Sequence, residues 1–219
     1  MGMTADGKIA TATRSVSSFG SVNDQRHLYE LRARSDAVMT GAGTLRAENA
    51  DLTGGAEPFL ALRKNKRLAP ENLRIIVSRG AEFDPSLRIF SQPGGTLILL
   101  TTQQASSRQI ASLEKRGVQV GRFGQRKVNL VSAVRWLRSE WKVRKLHCEG
   151  GAELNQALFA ADLIDEIHVT WCPWVFGGAT APTIAEGQGF DSLTAAKQFQ
   201  LASVIPVGDE LFLRFLRDT

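Results

Sequence analysis

Apolar runs of five or six residues alternate along this chain with segments whose apolar positions recur at helical spacing. The first strand is predicted over Lys8–Ala12. A helix follows over residues 21–35, with Ser21 as N-cap and Asp24 three positions on as the second half of a capping box. Asp36–Thr40 reads as a strand, and residues 54–72, with Gly54, Gly55, Pro58 and Pro70, as loop. Leu73–Ser78 and Thr96–Thr101 are rich in leucine and isoleucine and read as buried strands. A helix over Ala105–Arg116 and a short strand over Gly117–Gly121 come next. Asn129 caps a helix whose apolar positions are Leu130, Val134, Leu137 and Trp141. Arg144–Gly151 is a strand ending in a glycine pair, residues 152–163 are helix, and residues 165–175 are strand. The end differs: residues 198–205 and 210–216 are two apolar runs joined by Pro-Val-Gly-Asp, an antiparallel hairpin.

Strand–helix alternation specifies an α/β fold with a mostly parallel sheet, helices on both faces and an antiparallel C-terminal hairpin, as one domain over residues 1–219. In such sheets ligands sit at the carboxyl ends of the strands. Three glycine-rich segments, 41–44, 150–151 and 177–178, each follow a strand. They are therefore predicted to converge on one crevice.

Composition narrows the picture. Of 219 residues, 43% are hydrophobic and 22% charged, which suits a globular domain with a sizeable core. The N-terminal residues carry no apolar signal core, and no apolar run spans a bilayer. Cys148 and Cys172 lie in strand-like runs without a CxxC pair and read as buried, reduced thiols of a cytoplasmic protein. The net charge of +5 raises nucleic acid as a partner, but the basic residues are dispersed. Their densest patch, Arg63–Arg67, lies in the predicted loop. No nucleic-acid motif accompanies it, and no nucleic-acid or membrane partner is expected.

Gly41 and Gly43 lack the third glycine of a dinucleotide fingerprint, since Arg46 stands there. A strand–Gly-x-Gly-Thr–helix turn is nonetheless an anion seat to which Thr44 adds a hydroxyl, or else simply a tight turn needing glycine for positive φ. Gly150–Gly151 behind Glu149 and the pair Gly177–Gly178 pose the same alternative. Ser78 and Arg79 end a strand with a hydroxyl and a guanidinium. That combination holds a phosphate monoester such as the 2′-phosphate of NADPH, or is a solvated strand end. His27, His147 and His168 show no metal-ligand spacing, and neither a nucleophile elbow nor a zinc-deaminase signature is present. Chemistry is thus expected from a bound cofactor, with no metal.

Thr4–Thr11 (TADGKIAT), Leu31–Ala33 (LRA), Asp36–Ala47 (DAVMTGAGTLRA), Glu149–Asn155 (EGGAELN), Asp162–His168 (DLIDEIH) and the Phe-Gly-Gly of residues 176–178 occur in this order. Together they resemble the reductase domain of the riboflavin-biosynthesis deaminase/reductase. The resemblance implies a dihydrofolate-reductase-like fold without the deaminase domain, NADPH as cofactor, and a homodimer built through the last strands. The implied reaction reduces the ribosyl group of a 5-phosphoribosylaminopyrimidine to the ribityl form. By the same resemblance, Gly2, Gly41, Gly43, Thr44, Glu48, Ser78, Arg79, Gly150, Gly151, Ala152, Leu154, Asn155, Gly177 and Gly178 bind the cofactor. Arg32, Leu52 and Glu149 contact substrate, and Glu149 and Asp6 are the catalytic candidates. Glu149, raised in pKa by a closed cleft, or a water would supply the proton. Glu48 stands where the family has aspartate, no arginine follows Thr53, and Ser15–Ser21 lacks the family's tryptophan. Those departures leave open a reductase of another heterocycle, such as a pterin, or a non-catalytic binding protein.

Overall fold

The computed structural model describes residues 1–14 and 19–218; the Ser15–Ser18 part of the segment lacking the tryptophan lies outside them. The residues form two compact units, one of 1–27 with 150–219 and one of 28–149.

The second unit is built on a five-stranded sheet, all parallel, in the order β5-β4-β3-β2-β6. Its strands are β2 (Ala37–Gly41), β3 (Leu73–Val77), β4 (Leu97–Thr101), β5 (Gln119–Arg122) and β6 (Leu146–Cys148). β4 is buried at every position and β2 at all but Gly41, as parallel strands covered on both faces require. Helices α5 (Ser107–Glu114) and α6 (Leu130–Glu140) turn Ile110, Leu113, Leu130, Ala133 and Leu137 inward. The Asn129 side chain caps α6 by accepting from the Ser132 N–H at 3.0 Å. Between β2 and β4 lie the short helices α2 (Ala42–Glu48), α3 (Phe59–Asn65) and α4 (Arg88–Ser91).

Helix α3 corrects the loop expected over residues 54–72. Arg63, the first residue of the basic patch, is 1% exposed, and its guanidinium donates to the carbonyls of Ala69, Ser35 and Arg32 at 2.8, 2.8 and 3.3 Å. The patch thus begins with a structural arginine that ties residues 32–35 and Ala69 to α3. Charge density along the sequence does not reveal this, because Nε and Nη1 of the guanidinium find carbonyl partners inside the fold, while Nη2 is buried without one.

The first unit holds the mixed sheet β1-β7-β9-β8, from β1 (Gly2–Thr4), β7 (Glu166–Cys172), β8 (Phe199–Val207) and β9 (Glu210–Arg217). β1 pairs parallel with β7, and β9 lies antiparallel to both β7 and β8, which realises the expected hairpin. The strand expected over Lys8–Ala12 is absent. Gly7, at φ +80°, turns the chain back after β1, and the Ile9 N–H goes to the Pro182 carbonyl at 2.9 Å instead of to a strand. Helix α7 (Ala152–Ala160) follows the glycine pair.

Helix α1 (Val22–Ala33) begins in the first unit and ends in the second. Its N-cap is Ser21, whose hydroxyl accepts from the N–H groups of Asn23 and Asp24 at 3.1 and 3.3 Å. The reciprocal half of the capping box comes from elsewhere. The buried carboxylate of Glu210 takes the Ser21 N–H and hydroxyl at 2.7 and 2.6 Å. Cys172 is buried as expected and Cys148 only half-buried, and the two are not joined by a disulfide; burial first, then the carboxylates of Glu210 and Asp24, push the Cys172 thiol up to about 12.

Candidate active site

Parallel register brings several predicted groups to one edge of the five-stranded sheet. Met39 is level with Cys148, Gly41 with Val77, and Val77 with Leu100. The residues just past the strand ends are therefore Glu149, Ala42–Thr44, Ser78–Arg79 and Thr102. The Glu149 N–H extends the ladder to the Met39 carbonyl at 2.9 Å.

At the β6 end stands a buried ion pair. Arg32, in the last turn of α1, meets both oxygens of Glu149, through Nε at 2.6 Å and Nη2 at 2.8 Å. Its Nη1 donates to the Thr53 carbonyl at 3.1 Å, and the Tyr29 ring lies 5.2 Å away. The two side chains are 6% and 10% exposed. Burial by itself would raise the Glu149 pKa. The charge and hydrogen bonds of Arg32 override it, and the carboxyl is held below the ordinary glutamate range. The raised carboxyl expected of Glu149 is thus corrected: it is an anion at neutral pH, an acceptor and not a proton store. Arg32, expected at the substrate, is 5% exposed and engaged with Glu149 and Thr53.

Glu48, at the end of α2, moves the other way. Loss of hydration and repulsion by Glu149 push its pKa up, against the pull of Arg32. Asp51 accepts from the Thr53 N–H and hydroxyl at 3.0 and 2.9 Å and pairs with Arg88 at 2.8 Å. Leu52, between them, corrects another expectation. It sits at φ +60° with its side chain fully buried in the core cluster with Val38, Leu45 and Ile76, so it offers a substrate no side-chain contact.

At the Gly41–Thr44 turn one premise of the tight-turn reading, a positive φ at glycine, is absent. Gly41, the N-cap of α2, has φ −79°, and Gly43 is not in the left-handed region either. Neither glycine is required by its backbone conformation. A Cβ built on Gly43 meets no atom within 4 Å, so glycine there keeps an open surface. Past β3, the Ser78 N–H goes to the Leu100 carbonyl at 3.0 Å. The Arg79 side chain is exposed, while its carbonyl accepts from the buried Thr101 and Thr102 hydroxyls at 3.2 and 2.9 Å. These two threonines were missed in the sequence. The signal was available, as paired hydroxyls ending a wholly apolar strand.

In the first unit, Gly150 lies at φ +86°, a conformation that suits glycine, and a cis peptide joins it to Gly151, the N-cap of α7. The Ala152 and Leu154 side chains are buried, so a ligand would reach this turn through backbone groups. Asn155 holds the Ile184 carbonyl at 2.8 Å. Gly2, in β1, would place a Cβ 3.5 Å from the Phe19 ring. Gly177 and Gly178 have φ +63° and +81°. Asp6 is exposed, but its carboxylate accepts from the Thr4 hydroxyl at 2.5 Å and from the N–H groups of Phe176 and Gly177 at 3.2 and 2.7 Å. The Thr4 hydrogen bond, then the two backbone N–H groups, hold it below the ordinary aspartate range against residual burial. Among the described residues no cluster of His, Cys, Asp and Glu could hold a metal, and no helix is long and apolar enough to cross a membrane.

An α/β chain with a parallel sheet and an antiparallel C-terminal hairpin of this kind is of the dihydrofolate-reductase-like class. Comparison with known proteins narrows this. The sequence matches the RibD C-terminal domain over residues 1–213, and the chain belongs to that family. It is 31% identical over 214 residues to the 2,5-diamino-6-ribosylamino-4(3H)-pyrimidinone 5′-phosphate reductase of Methanothermobacter thermautotrophicus, covering 97% of this chain and 94% of the relative. The protein of the same name from Archaeoglobus fulgidus is 30% identical, over 84% of this chain and 83% of its own length. The fold is shared with a pyrimidine reductase-like protein from Corynebacterium diphtheriae, at TM-score 0.83 and 20% identity over 100% of this chain and 90% of that one. It is shared too with RibD of Acinetobacter baumannii, at TM-score 0.81 and 20% identity, where this chain spans 57% of the other's length.

Proposed function

We propose that this chain is a single-domain, NADPH-dependent reductase that converts the ribosyl group of a 5-phosphoribosylaminopyrimidine to the ribityl form in riboflavin biosynthesis. The observation that carries this reading is the nearly full-length likeness to reductases named for such a substrate. The donor set fits the cofactor: a turn where a Cβ would fill open space at Gly43, and an exposed guanidinium beside a serine at Ser78–Arg79. Bound NADPH would supply a hydride to C1′ of the sugar. The chain's own part is to bind and orient. Backbone N–H groups of Gly41–Thr44 take the diphosphate, and Ser78 and Arg79 the 2′-phosphate. Glu149, fixed by Arg32 as an anion, accepts hydrogen bonds from the substrate. Glu48, whose carboxyl is pushed up, is better suited than Glu149 to hold a proton at that edge.

The test is oxidation of NADPH by the purified chain with 2,5-diamino-6-ribosylamino-4(3H)-pyrimidinone 5′-phosphate. Unchanged NADPH absorbance would refute the reading, and turnover of a pterin in preference would replace the substrate. Arg79→Ala should raise the KM for NADPH about 10-fold or more and leave that for NADH unchanged, since a charge-assisted contact to phosphate is lost. Equal effects on both cofactors would remove Arg79 from the 2′-phosphate site.

We propose further that the chain is a homodimer and works in the cytoplasm, where the thiols of Cys148 and Cys172 stay reduced. β8 is an edge strand, and its Leu201, Val204 and Ile205 are 58%, 45% and 54% exposed. Such an apolar edge invites pairing with a second copy. Sedimentation equilibrium should give twice the chain mass, reduced to the monomer by Leu201→Arg with Val204→Arg. A wild-type monomer would refute the dimer.

A further inference from the structure

Asp6 is among the residues that the family resemblance offers as catalysts, yet it is joined to a loop on every side. The buried Thr4 hydroxyl donates to its Oδ1 at 2.5 Å while accepting the Lys8 N–H at 2.9 Å. Oδ1 also takes the Phe176 N–H at 3.2 Å, and Oδ2 takes the Gly177 N–H at 2.7 Å. Three bonds run alongside. The Ala5 N–H goes to the Trp174 carbonyl at 2.8 Å, the Lys8 ammonium to Ala181 at 3.1 Å, and the Ile9 N–H to Pro182 at 2.9 Å. Residues 4–9 and 174–182 thus form one stitched element within the first unit. Gly177 and Gly178 both have positive φ and would wander among many conformations unaided. Among the described residues, Asp6 is the one whose side chain meets two consecutive N–H groups of this loop. The loop also carries exposed Trp174 and Val175, and Phe176 packs edge-on against Phe19 with centroids 5.0 Å apart.

We propose that Asp6 is a positioning residue and not an acid or base: its carboxylate latches residues 176–177 and so presents Gly177–Gly178 in the conformation that ligand binding uses. This rests on the proposed function insofar as the loop serves the cofactor. A carboxylate whose two oxygens already accept three hydrogen bonds has little capacity left to trade protons with a substrate. Its contribution should appear in binding, by sparing the ligand the cost of ordering the loop.

The experiment compares the whole chain with Asp6→Ala and Asp6→Asn by amide hydrogen exchange and by steady-state kinetics. In Asp6→Ala, exchange at Phe176 and Gly177 should accelerate about 10-fold or more, as two bonds to a charged acceptor are lost. KM for NADPH or substrate should rise by a similar factor, with kcat falling less than about 3-fold. Asp6→Asn keeps one acceptor oxygen and should recover part of both effects. A general acid would behave otherwise: kcat would fall about 10²–10⁴-fold at unchanged KM, and Asn would be as inactive as Ala. That pattern, or unaltered exchange at 176–177 in Asp6→Ala, overturns the proposal. So does faster exchange with both KM and kcat unchanged. A wild-type chain that fails to oxidise NADPH counts against the proposed function instead. In that case the exchange arm, repeated with saturating NADPH, still decides the latch.

Discussion

Replacing Arg32 with alanine should lower the free energy of unfolding by about 3–5 kcal/mol, measured by urea denaturation at pH 7. The substitution removes one partner of a bidentate pair whose side chains are only 6% and 10% exposed, and leaves the Glu149 carboxylate buried without its counter-charge. The Thr53 carbonyl loses a donor as well. Pairing the change with Glu149→Met should recover much of the loss, because no uncompensated charge then remains. A loss below about 1 kcal/mol for Arg32→Ala would mean that water or the neighbouring His147 compensates the Glu149 charge.

The pH dependence follows with a definite sign. The Glu149 carboxyl has a folded-state pKa below its unfolded value, so the wild-type pair stabilises fully above the ordinary glutamate range, about 4.3. That contribution is lost as pH falls through the lower folded value. Without Arg32, the burial that was overridden governs, and the pKa of Glu149 rises. Protonation then relieves the buried charge, so the stability gap between Arg32→Ala and the wild type should narrow as pH falls through the raised value, and a gap that stays constant or widens in acid would overturn this.

The second large effect is on binding. Gly43→Val should leave stability within about 0.5 kcal/mol of the wild type, because glycine and valine differ by only a few tenths of a kcal/mol in helix propensity and a Cβ there meets nothing. NADPH affinity should fall about 10- to 100-fold, the 1–3 kcal/mol that extra carbons cost in a close-fitting site. A melting-temperature series with NADPH reads both quantities: saturating ligand at one hundred times its dissociation constant stabilises by about 2.7 kcal/mol. A wild-type ligand shift in Gly43→Val would show that the turn merely connects β2 to α2.

Much of this architecture is legible locally. β3 and β4 fall within one residue of their predicted bounds, and the Asn129 cap is where a side-chain acceptor before an amphipathic run should be. The hairpin was marked by its Pro-Val-Gly-Asp turn. Elements with weak local signals were not legible. α3 is short, flanked by glycine and proline, and organised around a buried arginine. β1 has three residues, too few to display a period. At the candidate site, residue types were easier to name than their roles. The segment carrying Leu52 was visible, but its left-handed backbone, which sends the side chain into the core, was not.

By itself the sequence determined where strands and helices alternate, which residues end the parallel strands, and the family to which the chain belongs, since each is written in local periodicity or in short ordered motifs. Only the tertiary structure decided that Arg32 and Glu149, 117 positions apart, are one buried pair, and that Asp6 meets Gly177 across 171 positions. The reason is physical. A charged side chain's protonation and function depend on burial and on its partner's distance, and both are set by sheet register and packing, which have no period along the chain.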